Sequence, residues 1–349
     1  MLLKDLYNDA FFAFFSRAMK NVYPAFDESA FMRFLYDEEW EGRALKERMR
    51  HITLGLHQQL PEEYESAVTV LIDCIEEIEH SDPKPHTVEY LFFPDYIELY
   101  GVDEFEQSVQ AMETITTFIS CELAIRPFIL RYPERAMEQM LDWSVHPHFK
   151  VRRLSSEGCR PRLPWAMALP ELKKDPAPVL AILENLKEDT YEFVQKSVAN
   201  NLNDISKDHP DLVIQTVKRW KGISPGTDWI VKHASRTLLK QGNEELMQLF
   251  GFGNTEEIQI TDFVVHTPEL SLGEYLEFSF TLVNQEKRPV NLRLEYGVYY
   301  QKANGTLSRK VFKISEKEYD AGSFTRIDRR QHFKPITTRV YHPGLHQVS

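Results

Sequence analysis

Three segments of this chain can be laid over one another. They are Val151-Arg152-Arg153-Leu154-Ser155, Val194-Gln195-Lys196-Ser197-Val198 and Ile230-Val231-Lys232-His233-Ala234. Val151, Val194 and Ile230 take the same place, at spacings of 43 and 36 residues. Two positions on, each copy carries a cation: Arg153, Lys196 and Lys232. Each copy follows a turn-rich stretch, respectively 145–148, 187–190 and 222–228. A period of about 40 residues built from helix pairs is the signature of HEAT-like repeats. One helical hairpin cannot bury its apolar face alone, so copies stack into a curved solenoid. The second helix of each pair is expected on the concave side, where repeated cations could follow a phosphate backbone. Solvated charge on helix surfaces is the plainer alternative.

The segments before these repeats also read as helices. Phe11, Phe12, Phe15, Met19 and Val22 recur at helical spacing. Asp27-Glu28-Ser29 opens another helix with an acidic first turn. Residues 40–60 place Leu45, Met49, Ile52 and Leu56 on one stripe, and Pro61-Glu62-Glu63 starts a helix bearing Val68, Leu71, Ile72 and Ile75. Residues 80–100, with Pro83, Pro85 and Pro94, read as a loop-rich connector, followed by a helix over 103–119.

Near Gly251-Phe252-Gly253-Asn254 the pattern changes to period-two alternation. Strands are expected at 258–265, 275–283, 291–301, 309–315 and 324–333, with a hairpin turn at Asn304-Gly305. Such spacing suggests an immunoglobulin-like sandwich. Pro343-Gly344 reads as a turn before the opening of a closing strand that is cut short. The expected organisation is mainly α: a HEAT-like α-solenoid over 1–252, then an immunoglobulin-like β-sandwich over 256–349.

The net charge of −12 argues at first against nucleic acid, but its distribution matters more. Residues 257–349 carry 13 basic and 11 acidic side chains, net +2; residues 1–256 carry 28 and 42, net −14. Within the acidic part, residues 146–162 hold five Lys and Arg against one acid, Glu157. Three separated cysteines make neither a disulfide framework nor a metal pattern, and the twelve histidines include no HExxH. No metal, no cofactor and no membrane span are expected, and the chain reads as a cytoplasmic monomer with reduced thiols.

Candidate chemistry gathers in three stretches. Residues 151–165 contain Arg152, Arg153, Glu157, Arg160, Arg162, two prolines and Trp165. Helical spacing puts Arg153 and Glu157 on one face, and the stretch from Gly158 to Pro164 ends the helix in a stiff turn. The plain structural reading pairs Glu157 with Arg153 and sends Trp165 into the core. In the second stretch Lys196, Asn200, Asn203 and Lys207 form a polar stripe, with Asp204 on its side. Amides and lysines can hold phosphate and sugar oxygens, or they can tie neighbouring repeats together. In the third, Glu122 lies in an apolar run, four residues before Arg126.

The strings Arg152-Arg153-Leu154-Ser155-Ser156-Glu157-Gly158, Arg160-Pro161-Arg162-Leu163-Pro164-Trp165, Ser197-Val198-Ala199-Asn200-Asn201-Leu202-Asn203-Asp204-Ile205, Cys121-Glu122-Leu123-Ala124-Ile125-Arg126-Pro127-Phe128 and Leu45-Lys46-Glu47-Arg48-Met49-Arg50-His51 resemble the AlkC family of bacterial DNA-alkylation repair glycosylases. The resemblance runs across nearly the whole chain. It implies a HEAT-like fold that clasps double-stranded DNA carrying alkylated bases, related to the AlkD family. It also implies the longer subtype, whose C-terminal immunoglobulin-like domain helps to grip DNA. The implied activity is hydrolysis of the N-glycosidic bond of 3-methyladenine and 3-methylcytosine. Glu157 falls on the family's catalytic carboxylate, Glu122 and Trp165 on lesion-proximal positions, and Asp204 within a matching motif.

A base methylated on a ring nitrogen already carries positive charge and leaves as a neutral molecule without a general acid. A carboxylate then has two tasks: to stabilise the oxocarbenium-like sugar and to place a water. Glu157 is the expected carboxylate, assisted by Glu122, with Trp165 offering its π face to the cation. Arg152, Arg153, Arg160 and Arg162 are expected at flanking phosphates, and Lys196, Asn200, Asn203, Lys232 and Arg236 along the next repeats. The alternative is a non-catalytic HEAT-repeat DNA-binding or protein-interaction scaffold, which would release no base.

Overall fold

A computed structural model of the chain describes residues 3–81, 88–252, 256–336 and 339–349. The chain forms two compact units, residues 1–236 and 237–349.

The first unit begins with α1 (Asp9–Val22) and α2 (Glu28–Leu35), each capped by a side chain that accepts a backbone N–H, Asn8 from Phe11 and Asp27 from Ala30. Of the apolar stripe expected on α1, Phe12, Phe15 and Met19 are fully buried and Phe11 and Val22 partly so; Phe12 and Phe15 pack with Phe31, and Phe15 with Phe92. Residues 40–60 are not one helix. Trp40–Gly42 forms a single 3-10 turn, and α3 (Leu45–His57) starts afresh where the Glu47 carboxylate accepts the Ala44 N–H at 2.7 Å. The following helix, α4 (Tyr64–Glu79), begins just after the expected Pro61-Glu62-Glu63 start. The connector read over 80–100 is shorter than expected, because its last nine residues form α5 (Phe92–Tyr100). Pro94 sits in the first turn of α5, where its missing N–H costs no helical hydrogen bond. Pro83 and Pro85 lie outside the described residues.

The chain continues through α6 (Phe105–Phe118), α7 (Ile125–Arg131), α8 (Pro133–Trp143), α9 (Phe149–Gly158), α10 (Pro170–Lys174), α11 (Ala177–Leu186), α12 (Glu192–Ile205), α13 (Pro210–Trp220) and α14 (Pro225–Ala234). Proline in the first turn opens α8, α10, α11, α13 and α14, where a fixed φ suits a helix start. The pairs α8–α9, α11–α12 and α13–α14 are the hairpins that the repeat implied. Their second helices pack in succession, α9 on α12 and α12 on α14. Val151, Val194 and Ile230, the residues that defined the repeat, are fully buried. Polar ties cross the seams: Ser156 and Ser197 hydroxyls meet at 2.6 Å, and Asn201 donates to the Ser156 carbonyl at 2.7 Å.

The second unit follows with α15 (Arg236–Lys240), which spans the division, and α16 (Glu244–Leu249). Its strands are β1 (Ile258–Val265), β2 (Tyr275–Asn284), β3 (Val290–Gln301), β4 (Leu307–Tyr319), β5 (Phe324–His332) and β6 (Gln347–Val348). They pair antiparallel in two sheets, β1-β2-β5 and β4-β3-β6. Phe278, Phe280 and Leu282 of one sheet meet Leu292, Tyr296 and Val298 of the other in the sandwich core. The β3–β4 hairpin turns at Gly305, whose φ of +79° glycine adopts without strain. The closing strand consists of two residues, Gln347 and Val348, paired with Tyr299 and Val298.

All three cysteines are buried: Cys74 in α4, Cys121 before α7 and Cys159 just after α9. Among the described residues no helix is long and apolar enough to cross a membrane.

Candidate active site

Helix α9 ends in Glu157-Gly158-Cys159-Arg160-Pro161. A helix disfavours the residue before proline, so the chain leaves α9 here and runs through a turn to α10. Glu157 is thereby held in the last helical turn, 5% exposed. Arg160 curls back beneath it, 8% exposed, and reaches Asp204 of α12, 2% exposed. The Arg160 Nη1 donates to Glu157 Oε1 at 2.6 Å, and its Nε donates to Asp204 Oδ2 at 2.9 Å. Lys207 Nζ takes the other Asp204 oxygen at 3.0 Å. On the far side of Glu157, Arg153 Nη2 lies 3.8 Å from the same Oε1. Arg153 also donates through Nη1 to Glu122, whose carboxylate accepts the Ser120 hydroxyl at 2.7 Å. The Arg153 guanidinium stacks over the Phe193 ring at 4.2 Å.

The result is an alternating line of charge, Glu122, Arg153, Glu157, Arg160, Asp204 and Lys207, drawn from the turn before α7, from α9 and the turn after it, and from α12 and the residues just beyond its end. Burial alone would lower the Arg160 pKa, but Glu157 and Asp204 outweigh it and raise it. The second Glu157 oxygen, Oε2, is buried with no hydrogen-bond partner. A carboxylate fixed through one oxygen keeps an acceptor on the other, which suits it to orient a water or face a developing cation.

Trp165 does not fill the core. It is 65% exposed and has a φ of +66°. A bulky side chain in that left-handed region costs on the order of 1–3 kcal/mol and persists only where the surroundings hold it. Lys46 of α3 donates to the Trp165 carbonyl at 2.9 Å.

The four arginines of the segment divide. Arg153 and Arg160 face Glu157. Arg152 instead binds Asp189 through Nε at 2.6 Å and the carbonyls of His146 and Pro147, each at 2.9 Å. Arg162 forms a two-pronged pair with Asp208. Glu122, in the turn before α7, is bound by Arg153 and not by Arg126, four residues on. On the polar stripe, Lys196 is exposed, Asn203 is buried, and Asn200 Oδ1 accepts from Arg236 Nη2 at 3.0 Å. Lys232 is partly exposed on α14.

Sequence reasoning missed Lys46 and Arg126. Arg126 is fully buried yet binds only carbonyls: Met167 at 2.7 Å, Gly158 at 2.8 Å and Arg160 at 2.9 Å. Burial lowers its pKa to about 10. Both lie inside the strings 45–51 and 121–128 that carry the family resemblance, where the sequence offers Arg126 only as an ion-pair neighbour of Glu122 and gives Lys46 no role. Among the described residues no group of three His, Cys, Asp or Glu side chains is arranged to hold a metal.

A stack of HEAT-like hairpins that buries an arginine-tethered glutamate, joined in one chain to an immunoglobulin-like sandwich, is the plan of a solenoid-type DNA-alkylation repair glycosylase. Residues 95–246 match the family described as DNA alkylation repair enzyme, and residues 259–349 match a C-terminal Ig-like domain described from an uncharacterised protein, YhaZ. The chain is 43% identical to the uncharacterized protein YhaZ of Bacillus subtilis (strain 168), over 99% of this chain and 95% of that one. It superimposes with a TM-score of 0.93 on the Pseudomonas fluorescens alkylpurine DNA glycosylase AlkC, a structure bound to DNA containing an abasic site analog. That match is 37% identical and covers all of this chain and 95% of the other. The chain belongs to the AlkC family of DNA glycosylases.

Proposed function

We propose that this enzyme hydrolyses the N-glycosidic bond of cationic alkylated bases in double-stranded DNA, 3-methyladenine and 3-methylcytosine among them, with Glu157 as the catalytic carboxylate. The observation that carries this reading is Glu157 itself: a buried carboxylate whose Oε1 is bonded by Arg160 and whose Oε2 has no hydrogen-bond partner. Oε2 is the acceptor for the attacking water, and its charge stabilises the sugar cation as the neutral base departs. The electrostatic stabilisation is strengthened because Glu157 is largely withdrawn from bulk solvent. Glu122 and Trp165 flank the lesion, and Asp204 acts through Arg160. Among the described residues no group in the site is placed as a general acid, so neutral adducts, which need one, are expected to be poor substrates.

Phosphate contact falls to cations at or near the surface, Arg162, Lys196, Lys232 and Arg236, with Asn200 beside them. Arg152 serves differently, since its guanidinium is already taken by Asp189 and two carbonyls; it fixes the start of α9. Glu157→Gln is expected to slow release of free 3-methyladenine from methylated duplex by about a hundredfold or more, while binding to the duplex persists. Wild-type release in that variant refutes the assignment. A protein that shifts duplex DNA yet frees no base would instead be a non-catalytic binder.

A further inference from the structure

We propose that Lys46 and Arg126 are positioning residues that hold the turn from Arg160 to Met167 in the one conformation that presents Trp165; the claim rests on the base-release reading above. The turn has little to hold it from within. Pro161 and Pro164 have no N–H to give. The backbone bonds that close it, Ala166 N–H to the Leu163 carbonyl and Leu169 N–H to the Pro161 carbonyl, are long, at 3.4 and 3.5 Å. At its centre Trp165 stands in the left-handed region, where a β-carbon is disfavoured.

Two cations from other helices supply the missing restraint. Arg126, on α7, grips both ends of the turn, with Nη1 on the Gly158 and Arg160 carbonyls and Nε on the Met167 carbonyl. Lys46, on α3, takes the central carbonyl, that of Trp165 itself, from 119 residues away in sequence. A guanidinium is a planar fork suited to several carbonyls at once, and an ammonium is a single point donor suited to one. Neither cation touches Glu157. Both act through the backbone that carries Arg160 and Trp165. A shift of that turn by an ångström would move the indole off the cation and loosen Arg160 from Glu157 together.

The test uses the full-length protein labelled with 5-fluorotryptophan. Its five tryptophans give five resonances, and Trp165→Phe identifies the relevant one. In Lys46→Met we expect the Trp165 resonance to shift or broaden while the other four hold. We expect single-turnover base release to fall about tenfold or more, with affinity for undamaged duplex held within about twofold. Lys46→Arg is expected to restore both, and Lys46→Met made in a Trp165→Ala background should cause no further loss. Because Arg126→Met strips a buried fork and can unfold the chain, it is compared with Arg126→Lys, which keeps the charge and loses the forked geometry; the Trp165 resonance should move in Arg126→Lys. An unchanged resonance and rate in Lys46→Met overturn the proposal. So does an equal loss in the Trp165→Ala background with weakened binding to undamaged duplex, which would make Lys46 a direct phosphate contact. A wild-type protein that releases no base refutes the activity, and the fluorine spectra then still decide the positioning claim.

Discussion

Arg160 stands between two buried carboxylates, and the stability of the site follows from that position. Each of its partners is almost wholly removed from water, so neither Glu157 nor Asp204 recovers hydration if the guanidinium goes. Removing one member of a buried ion pair typically costs about 3–5 kcal/mol. Arg160→Met is therefore expected to lower unfolding free energy in urea by about that amount, with loss of base release. A change below about 1 kcal/mol would mean that Lys207 and Arg153 suffice to compensate the two acids. At this scale the acid itself was legible in the sequence: one glutamate among four arginines and two prolines is an unusual density of chemistry. Which arginine serves it was not. Arg153, at helical spacing, reads as the natural partner of Glu157, yet the shortest bond comes from Arg160, beyond the helix end. Helical periodicity says nothing of how a chain turns back after proline, and that turn decides the pairing. The exposure of Trp165 agrees with the reading that it offers its π face, whereas its left-handed backbone leaves no mark in the sequence.

Neighbouring hairpins are held by polar clips as well as apolar packing. Glu184 of α11 accepts from Arg219 at 2.8 Å and from the Trp220 indole at 3.0 Å, both at the end of α13, and pairs with Lys187. Burial would raise its carboxyl, but the hydrogen bonds from Lys187, Arg219 and Trp220 outweigh it and hold the pKa at about 2, against an ordinary 4.5. Its folded value lies below its unfolded one. The stability it contributes is therefore full above pH 4.5 and is lost as pH falls toward 2. Glu184→Gln should flatten that part of the stability–pH curve, measured by urea unfolding, and leave the curve above pH 5 parallel to wild type (roughly the upper end of the linkage window). Parallel curves throughout would exclude the clip as a source of acid lability. Elements themselves were well read where periodicity was long. The repeat helices and five strands lie where expected, because a buried stripe or an alternating face leaves a regular imprint. Residues 40–60 and 80–100 were misread for opposite reasons. In the first, Leu45, Met49, Ile52 and Leu56 all belong to α3, and the stripe holds no sign that the helix begins only at the Glu47 cap, after a separate 3-10 turn at Trp40–Gly42. In the second, proline suggested a loop although it occupied a helix start.

Across the whole molecule the charge is at odds with the task, since a protein of net charge −12 has to meet a polyanion. Asp189, Asp204, Asp208 and Glu184 are each held by a basic side chain, but such pairing removes both signs together and leaves the excess of acids elsewhere on the chain. Binding then depends on a few cations. Lys196, exposed on α12, is expected to release about one counterion, so that Lys196→Ala lowers the slope of log affinity against log salt by about 0.9 without changing sequence preference. An unchanged slope would remove Lys196 from the interface. Fold class was legible at this scale, helices stacked in a period and then a sandwich. The net charge was the least informative number, because a total does not report where the charge lies.

The buried thiols have a consequence for a protein whose substrates arise under electrophilic attack. A cysteine reacts with a methylating agent as thiolate, and burial pushes the Cys159 thiol up to about 12 and raises Cys74 and Cys121 as well. Walled off and protonated, the three offer such reagents almost no nucleophile. A disulfide-exchange dye should therefore register no fast-reacting thiol in the native protein and three once it is denatured. The enzyme is built to stay unmodified in the same chemical weather that damages the genome around it.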